Sequence, residues 1–197
     1  MKFREGCKVP FPEKVLEGYS YEAPWFTANV DADKILAMLE HFISIHHEPL
    51  FFILELPSKK EDETEIRPGV VEKLHKDVYY LGGRTQKDAL ALLHRFGDLL
   101  IRDGMSAFGF GCHQSHEEIM VGQYNVVSIY TGDEKAYEGF FERHDIHRVQ
   151  PLVTAWNTFT KDSPGECERI DTDGKSVFDI PDICAEWGMF LAERREE

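Results

Sequence analysis

The sequence predicts an α+β fold, a mainly antiparallel sheet with about four helices packed on it, and three observations carry that expectation. Segments of strand character follow one another directly, above all from 105 to 131 and from 152 to 178. The regular alternation of strand and helix that marks a parallel sheet is absent. The helical periodicities that do occur are few, and each is bounded by a cap or a breaker.

Residues 1–30 hold Phe11, Tyr19, Tyr21, Trp25 and Phe26 among Pro10, Pro12 and Pro24 without a period. They read as an extended arm wrapped around one domain that spans residues 1–197. From Asp31 the pattern turns helical, because Ile35, Leu36, Leu39, Phe42 and Ile43 form one stripe. Asp31 or Asp33 can cap its start, and Pro49 forbids its continuation. Leu50 to Leu54 has the length of a core strand, and the charged run from Ser58 to Glu65, with no apolar face, reads as a mobile loop. Asp77 to Leu81 is a second strand closed by Gly82-Gly83. Thr85 then caps a helix whose core stripe is Ala89, Leu92, Leu93, Phe96, Leu99 and Leu100, with Gly104 just past its end.

Residues 105–112 alternate, Phe108, Phe110 and Cys112 on one face and Gly109 and Gly111 on the other, where glycines permit close approach of another group. Ile119 to Val121 and Asn125 to Thr131 read as two more strands. A third helix begins at Gly132-Asp133, with Ala136, Tyr137, Phe140, Phe141 and His144 as its stripe. Leu152 to Thr160, rich in Thr, Val, Trp and Phe, reads as a strand. Glu166 to Ile170 and Ser176 to Phe178 around Asp173-Gly174 read as a hairpin. Asp179 or Pro181 opens a last helix that Gly188 either interrupts or ends, and in the second case Met189 to Ala192 is a closing strand.

Composition excludes several roles. With 42% hydrophobic residues and a mean hydropathy of −0.38, the 197-residue chain has the apolar material for a real core. Its formal net charge of −14 repels phosphate, so neither nucleic acid nor an anionic membrane surface is an expected partner, and basic partners are favoured. Nothing approaches the roughly 20 apolar residues of a spanning helix, and the start lacks the apolar run of a secretory signal. Cys7, Cys112, Cys167 and Cys184 are widely separated with no Cys-x-x-Cys pair, which reads as four reduced thiols in a cytoplasm.

The densest polar cluster runs from Cys112 to Glu118. His113 and His116 are spaced i, i+3, and His144 and His147 repeat that spacing. Two such pairs could ligate zinc or iron, with Glu117 or Glu118 as general base in a metal-dependent hydrolase. The plainer reading is a polar loop, since nine histidines produce short spacings by chance and the His-Glu-x-x-His order is missing. Ser115 and Cys112 beside histidines lack a nucleophile elbow, and Cys112 in line with Phe108 and Phe110 reads as a buried structural thiol. No phosphate loop or dinucleotide fingerprint occurs, and no cofactor is implied.

Residues 161–197 hold eleven acids against five basic residues. The plain reading is a solvated face that maintains solubility. The functional reading is a docking surface built on Asp171, Asp173 and Asp182 with Trp156 and Phe178 as aromatic anchors. Taken together, the charge and the missing catalytic signatures point to an acidic cytoplasmic protein-binding module. An immunity-type inhibitor that occludes a basic partner such as a toxin fits that class, with the metal-dependent hydrolase as the alternative.

Overall fold

Leu50, Phe52, Leu54 and Leu56 are buried while Phe51, Ile53 and Glu55 between them are only partly so, the two-residue period of a strand with one face on a core. The computed structural model describes residues 1–57, 65–67, 70–71 and 75–196. Its strands are β1 (Cys7–Lys8), β2 (Gly18–Glu22), β3 (Trp25–Asn29), β4 (Leu50–Pro57), β5 (Glu65–Arg67), β6 (Val70–Val71), β7 (His75–Arg84), β8 (Ala107–Cys112), β9 (Glu117–Val121), β10 (Val126–Tyr130), β11 (Glu166–Cys167) and β12 (Phe190–Glu196). The helices are α1 (Ala32–Ile45), α2 (Gln86–Arg102), α3 (Lys135–Arg143) and α4 (Ile180–Cys184). Eight strands form one sheet in the order β12-β7-β4-β8-β9-β10-β3-β2, and every neighbouring pair is antiparallel. β1 pairs with β11, and β5 with β6, in two small ladders.

The helices contribute to one core on one side of this sheet. α1 starts where the Asp31 carboxylate accepts from the Asp33 amide, and it buries Ile35, Met38, Leu39, Phe42 and Ile43. α2 starts at a reciprocal cap in which Thr85 and Asp88 bond each other's backbone, and it buries Leu92, Leu93, Phe96 and Leu100. α3 adds Tyr137, Phe140 and Phe141, and Phe141 stacks on Tyr19 of β2 at 4.0 Å between ring centroids. Ile180 and Cys184 of α4 complete the cluster. Each large side chain withdrawn from water here contributes about 1.5–3 kcal/mol before chain entropy is counted. Phe51, Ile53, Tyr80, Met120, Trp25 and Tyr130, on the opposite side, take no part in this core.

Three local expectations need correction. Residues 18–29, expected within an extended arm, form the β2–β3 hairpin of the main sheet, because Phe26 and Ala28 alternate into the core from strands that pair in register. Leu152 to Thr160 is not a strand: Thr154 and Asn157 close a reciprocal cap over a 3-10 turn at Ala155–Thr158. Asp173 and Gly174 do form a tight turn with both φ angles positive, and Thr172 and Lys175 exchange two hydrogen bonds across it. No hairpin extends from it, since Glu166 and Cys167 pair with Lys8 and Cys7 and Ser176 caps a 3-10 turn. Gly188, at φ +92°, ends the last helical segment, and the closing strand runs from Phe190 to Glu196. The segment expected as a mobile loop, apart from Glu65, lies outside the described residues. Among those described, no helix is long and apolar enough to cross a membrane.

Candidate functional site: the open face of the sheet

Directly paired residues on antiparallel strands point to the same side, so register alone assembles a row across the face away from the helices. Phe51 lies opposite Gly111, Gly111 opposite Glu118, Glu118 opposite Tyr130, and Tyr130 opposite Trp25, which in turn faces Glu22. The glycine is required: a Cβ on Gly111 would stand 2.0 Å from the Phe51 ring, which lies over β8 at that position. Phe51 also belongs to an aromatic group, with Tyr80 at 5.3 Å and His113 at 4.8 Å between centroids, and Phe190 packs edge-on against Tyr80 at 5.7 Å. The Tyr80 hydroxyl and His113 Nε2 are 2.7 Å apart. At the other end Trp25 and Tyr130 meet edge-on at 4.9 Å and are 50% and 37% exposed. Trp25 is also one wall of a groove of about 430 Å³ that Gln150, Pro151, Leu152 and Thr154 close from the far side.

Glu118 sits between the two aromatic groups. No hydrogen bond or ion pair reaches its carboxylate among the described residues. Partial burial pushes its pKa up, and the Glu55 charge adds to that, while Arg195 opposes it. Glu55, on the same face, is neutralised: Arg195 Nη1 lies 3.1 Å from one oxygen and Lys76 Nζ 3.6 Å from the other. At Glu118 the open face therefore carries a half-buried carboxylate with no hydrogen-bond or ion-pair partner among the described residues, in the row between Phe51 and Tyr130. Such a setting favours a cationic side chain with an apolar stem, which would supply the missing charge and pack against the rings.

The sequence-predicted site residues are placed differently. Asp171, Asp173 and Asp182 are all exposed; Asp171 lies 3.6 Å from Arg169, and Asp173 occupies the tight turn. Their proposed anchors do not share a cluster. Trp156 packs edge-on with Tyr124 at 4.8 Å and Phe159 at 5.6 Å, whereas Phe178 is half-buried against the main core, with Arg169 over its ring at 5.3 Å.

The histidine pairs are also dispersed. His113 joins the aromatic group on the open face, His116 is exposed in the turn after β8, His144 stacks on Phe140 at 4.2 Å, and His147 is exposed 3.1 Å from Asp145. Glu117 faces the helical side, where its carboxylate lies 2.6 Å from His46 Nε2 and accepts from Thr131 Oγ1. His46 Nδ1 donates to the Phe42 carbonyl at 2.7 Å, so the trio ties α1 to β9. Among the described residues, no group of three or more His, Cys, Asp or Glu side chains is arranged to hold a metal ion.

Comparison of the chain with protein-family models, with curated proteins and with solved structures finds no match.

Proposed function

We propose that this chain is a protein-binding module that engages a basic protein through the open face of its sheet, in the manner of an immunity-type inhibitor that occludes its partner. One observation carries the reading: the row Phe51–Gly111–Glu118–Tyr130–Trp25, in which a carboxylate without a hydrogen-bond or ion-pair partner among the described residues lies between a half-buried aromatic group and an exposed one. Aromatic anchors around a desolvated charge are the usual site of strong contacts in an interface. The overall charge of −14 adds long-range attraction for a basic partner, which accelerates encounter more than it slows release. The likeness to inhibitors of that class is one of composition and fold class.

The test is capture of a partner from the native cell by the purified chain, identification by mass spectrometry, and kinetics with the purified pair. The partner should be basic, and Trp25→Ala with Glu118→Lys should weaken binding at least about tenfold. Association should slow as salt shortens the screening length from about 10 Å to 8 Å and below. The triple reversal of Asp171, Asp173 and Asp182 to lysine probes the rival C-terminal surface. Binding that survives the open-face changes and is lost on that reversal would reject this site, and a partner that is acidic would reject the reading itself.

A further inference from the structure

β1 and β11 bring together two cysteines that stand far apart in the chain. Cys7 and Cys167 are direct partners in the antiparallel ladder. The Glu168 amide donates to the Gly6 carbonyl at 2.8 Å, which makes the neighbouring pair a hydrogen-bonded one and leaves Cys7 and Cys167 at the non-hydrogen-bonded position. Side chains approach closest there, and the Cα separation characteristic of such pairs, about 4.5 Å, falls within the range that a disulfide spans. Both sulfurs are free.

Their surroundings differ from those of the other thiols. The Cys167 thiol and the Tyr124 backbone amide both donate to the Cys7 sulfur, and the Arg4 guanidinium adds its charge. These donors bring Cys7 down to about 7, with hydrogen bonding from Cys167 the largest cause, against the opposing effect of burial. The same hydrogen bond to Cys7, with burial behind it, pushes the Cys167 thiol up and keeps its proton on it, against a hydrogen bond from the Tyr124 hydroxyl. Tyr124 holds this position in a left-handed conformation, φ +54°, so the backbone is committed to presenting it. Arg4 is buried and bonds the carbonyls of Leu100, Ser106 and Gly122, with no carboxylate among its hydrogen-bond partners. Cys112 instead donates to the His47 carbonyl at 3.2 Å, and burial pushes the Cys184 thiol up. Cys7 is buried and Cys167 partly exposed, so Cys167 is the more accessible residue of the pair.

We propose that Cys7 and Cys167 form a dithiol site that reacts with a low-molecular-weight disulfide and closes into a reversible disulfide bond between β1 and β11. In the first step Cys7, present as the thiolate, takes the proton of Cys167 while the Cys167 sulfur attacks one sulfur of the small disulfide, and a thiolate leaves. In the second, Cys7 gives its proton to solvent and attacks the Cys167 sulfur of the mixed disulfide, and the second thiolate leaves. Two protein thiols are oxidised by two electrons, and the small disulfide is reduced to two thiols. The bond ties the start of the chain to the segment that follows Pro164, and it is independent of the partner-binding reading.

The full chain is equilibrated with oxidised and reduced glutathione at a series of ratios, trapped with N-ethylmaleimide and mapped without reduction. The expected product is a Cys7–Cys167 crosslinked peptide, with Cys112 and Cys184 still alkylated, reversed by dithiothreitol and accompanied by a rise in Tm. In Cys7→Ser the reaction should stop at a glutathione adduct on Cys167. Four alkylated thiols at ratios that fully oxidise a free dithiol, or adducts on unlinked cysteines of the unaltered chain, would overturn the proposal. The mapping of the unaltered chain needs no variant to fold.

Discussion

Glu117 turns to the helical side of the sheet, where Thr131 and His46 hold its carboxylate, whereas Glu118, the next residue, turns to the open side and makes no hydrogen bond or ion pair among the described residues. Burial acts on both. On Glu117 it is the largest single influence and pushes the pKa up, yet the hydrogen bonds reverse it and leave the group below the ordinary 4.5; on Glu118 nothing reverses it. One pleat thus separates a carboxylate that contributes to the fold from one that costs it a little. The same contrast separates the aromatic residues of the two faces.

The largest expected difference is between those aromatics. Phe110→Ala empties a buried site beside Phe52 and should cost about 3–5 kcal/mol, whereas Trp25→Ala on the open face should cost under about 1 kcal/mol while weakening partner binding. Urea unfolding of both variants measures this, and equal losses would mean the open face is part of the core. Next comes Glu117→Gln, which leaves His46 short of its charged partner and should destabilise by about 1–3 kcal/mol at neutral pH. Because the folded value lies below 4.5, that contribution is present above pH 4.5 and is lost as pH falls through the folded value. The gap between the two unfolding curves should therefore close in acid, and a constant gap would break the assignment. The smallest effect is that of Glu118→Gln. A raised folded value means the charged form is disfavoured in the native state, so its cost is absent below pH 4.5 and felt once pH passes the folded value. Removing the charge should raise Tm by about 1–2 °C at pH 7 and leave it unchanged in acid, even as binding of a basic partner falls.

Much of the architecture was legible in the sequence because it is local. The stripes of α1 and α2 and the caps at Asp31 and Thr85 occur within a few residues of each other, and the Phe108/Phe110/Cys112 alternation separates the two faces of β8. Where reading failed, distant pairing had overridden local preference. The Asp173-Gly174 turn was visible, but the strand before it is claimed by Cys7 and Lys8. Thr154 and Asn157 could have announced a capped turn, since that spacing is a capping signature, yet the β-forming residues around them spoke louder. The open-face row was out of reach because it depends on the registers of β3, β10, β9, β8 and β4 together, and no window of sequence contains them. Only the two glycines of β8, which ask for a neighbour to lie close, hinted at it.

The strand order also has a consequence for how the chain is assembled. The middle of the sheet, β4 with β7 to β10, comes from one continuous stretch, whereas its two flanks are built from residues on either side of that stretch: β3 must wait for β10, pairing Asn29 with Val126, and β7 must wait for β12, pairing Tyr80 with Phe190. During synthesis the first hairpin leaves the ribosome with no sheet to join, and the unfinished sheet carries two raw edges until each flank arrives. Such late, long-range closure is slow, and it exposes strand edges that invite pairing between chains. The charged Glu193, Arg194 and Arg195 on β12, and the bridge from Arg148 to Tyr19 along β2, guard the two outer strands of the finished sheet against such pairing.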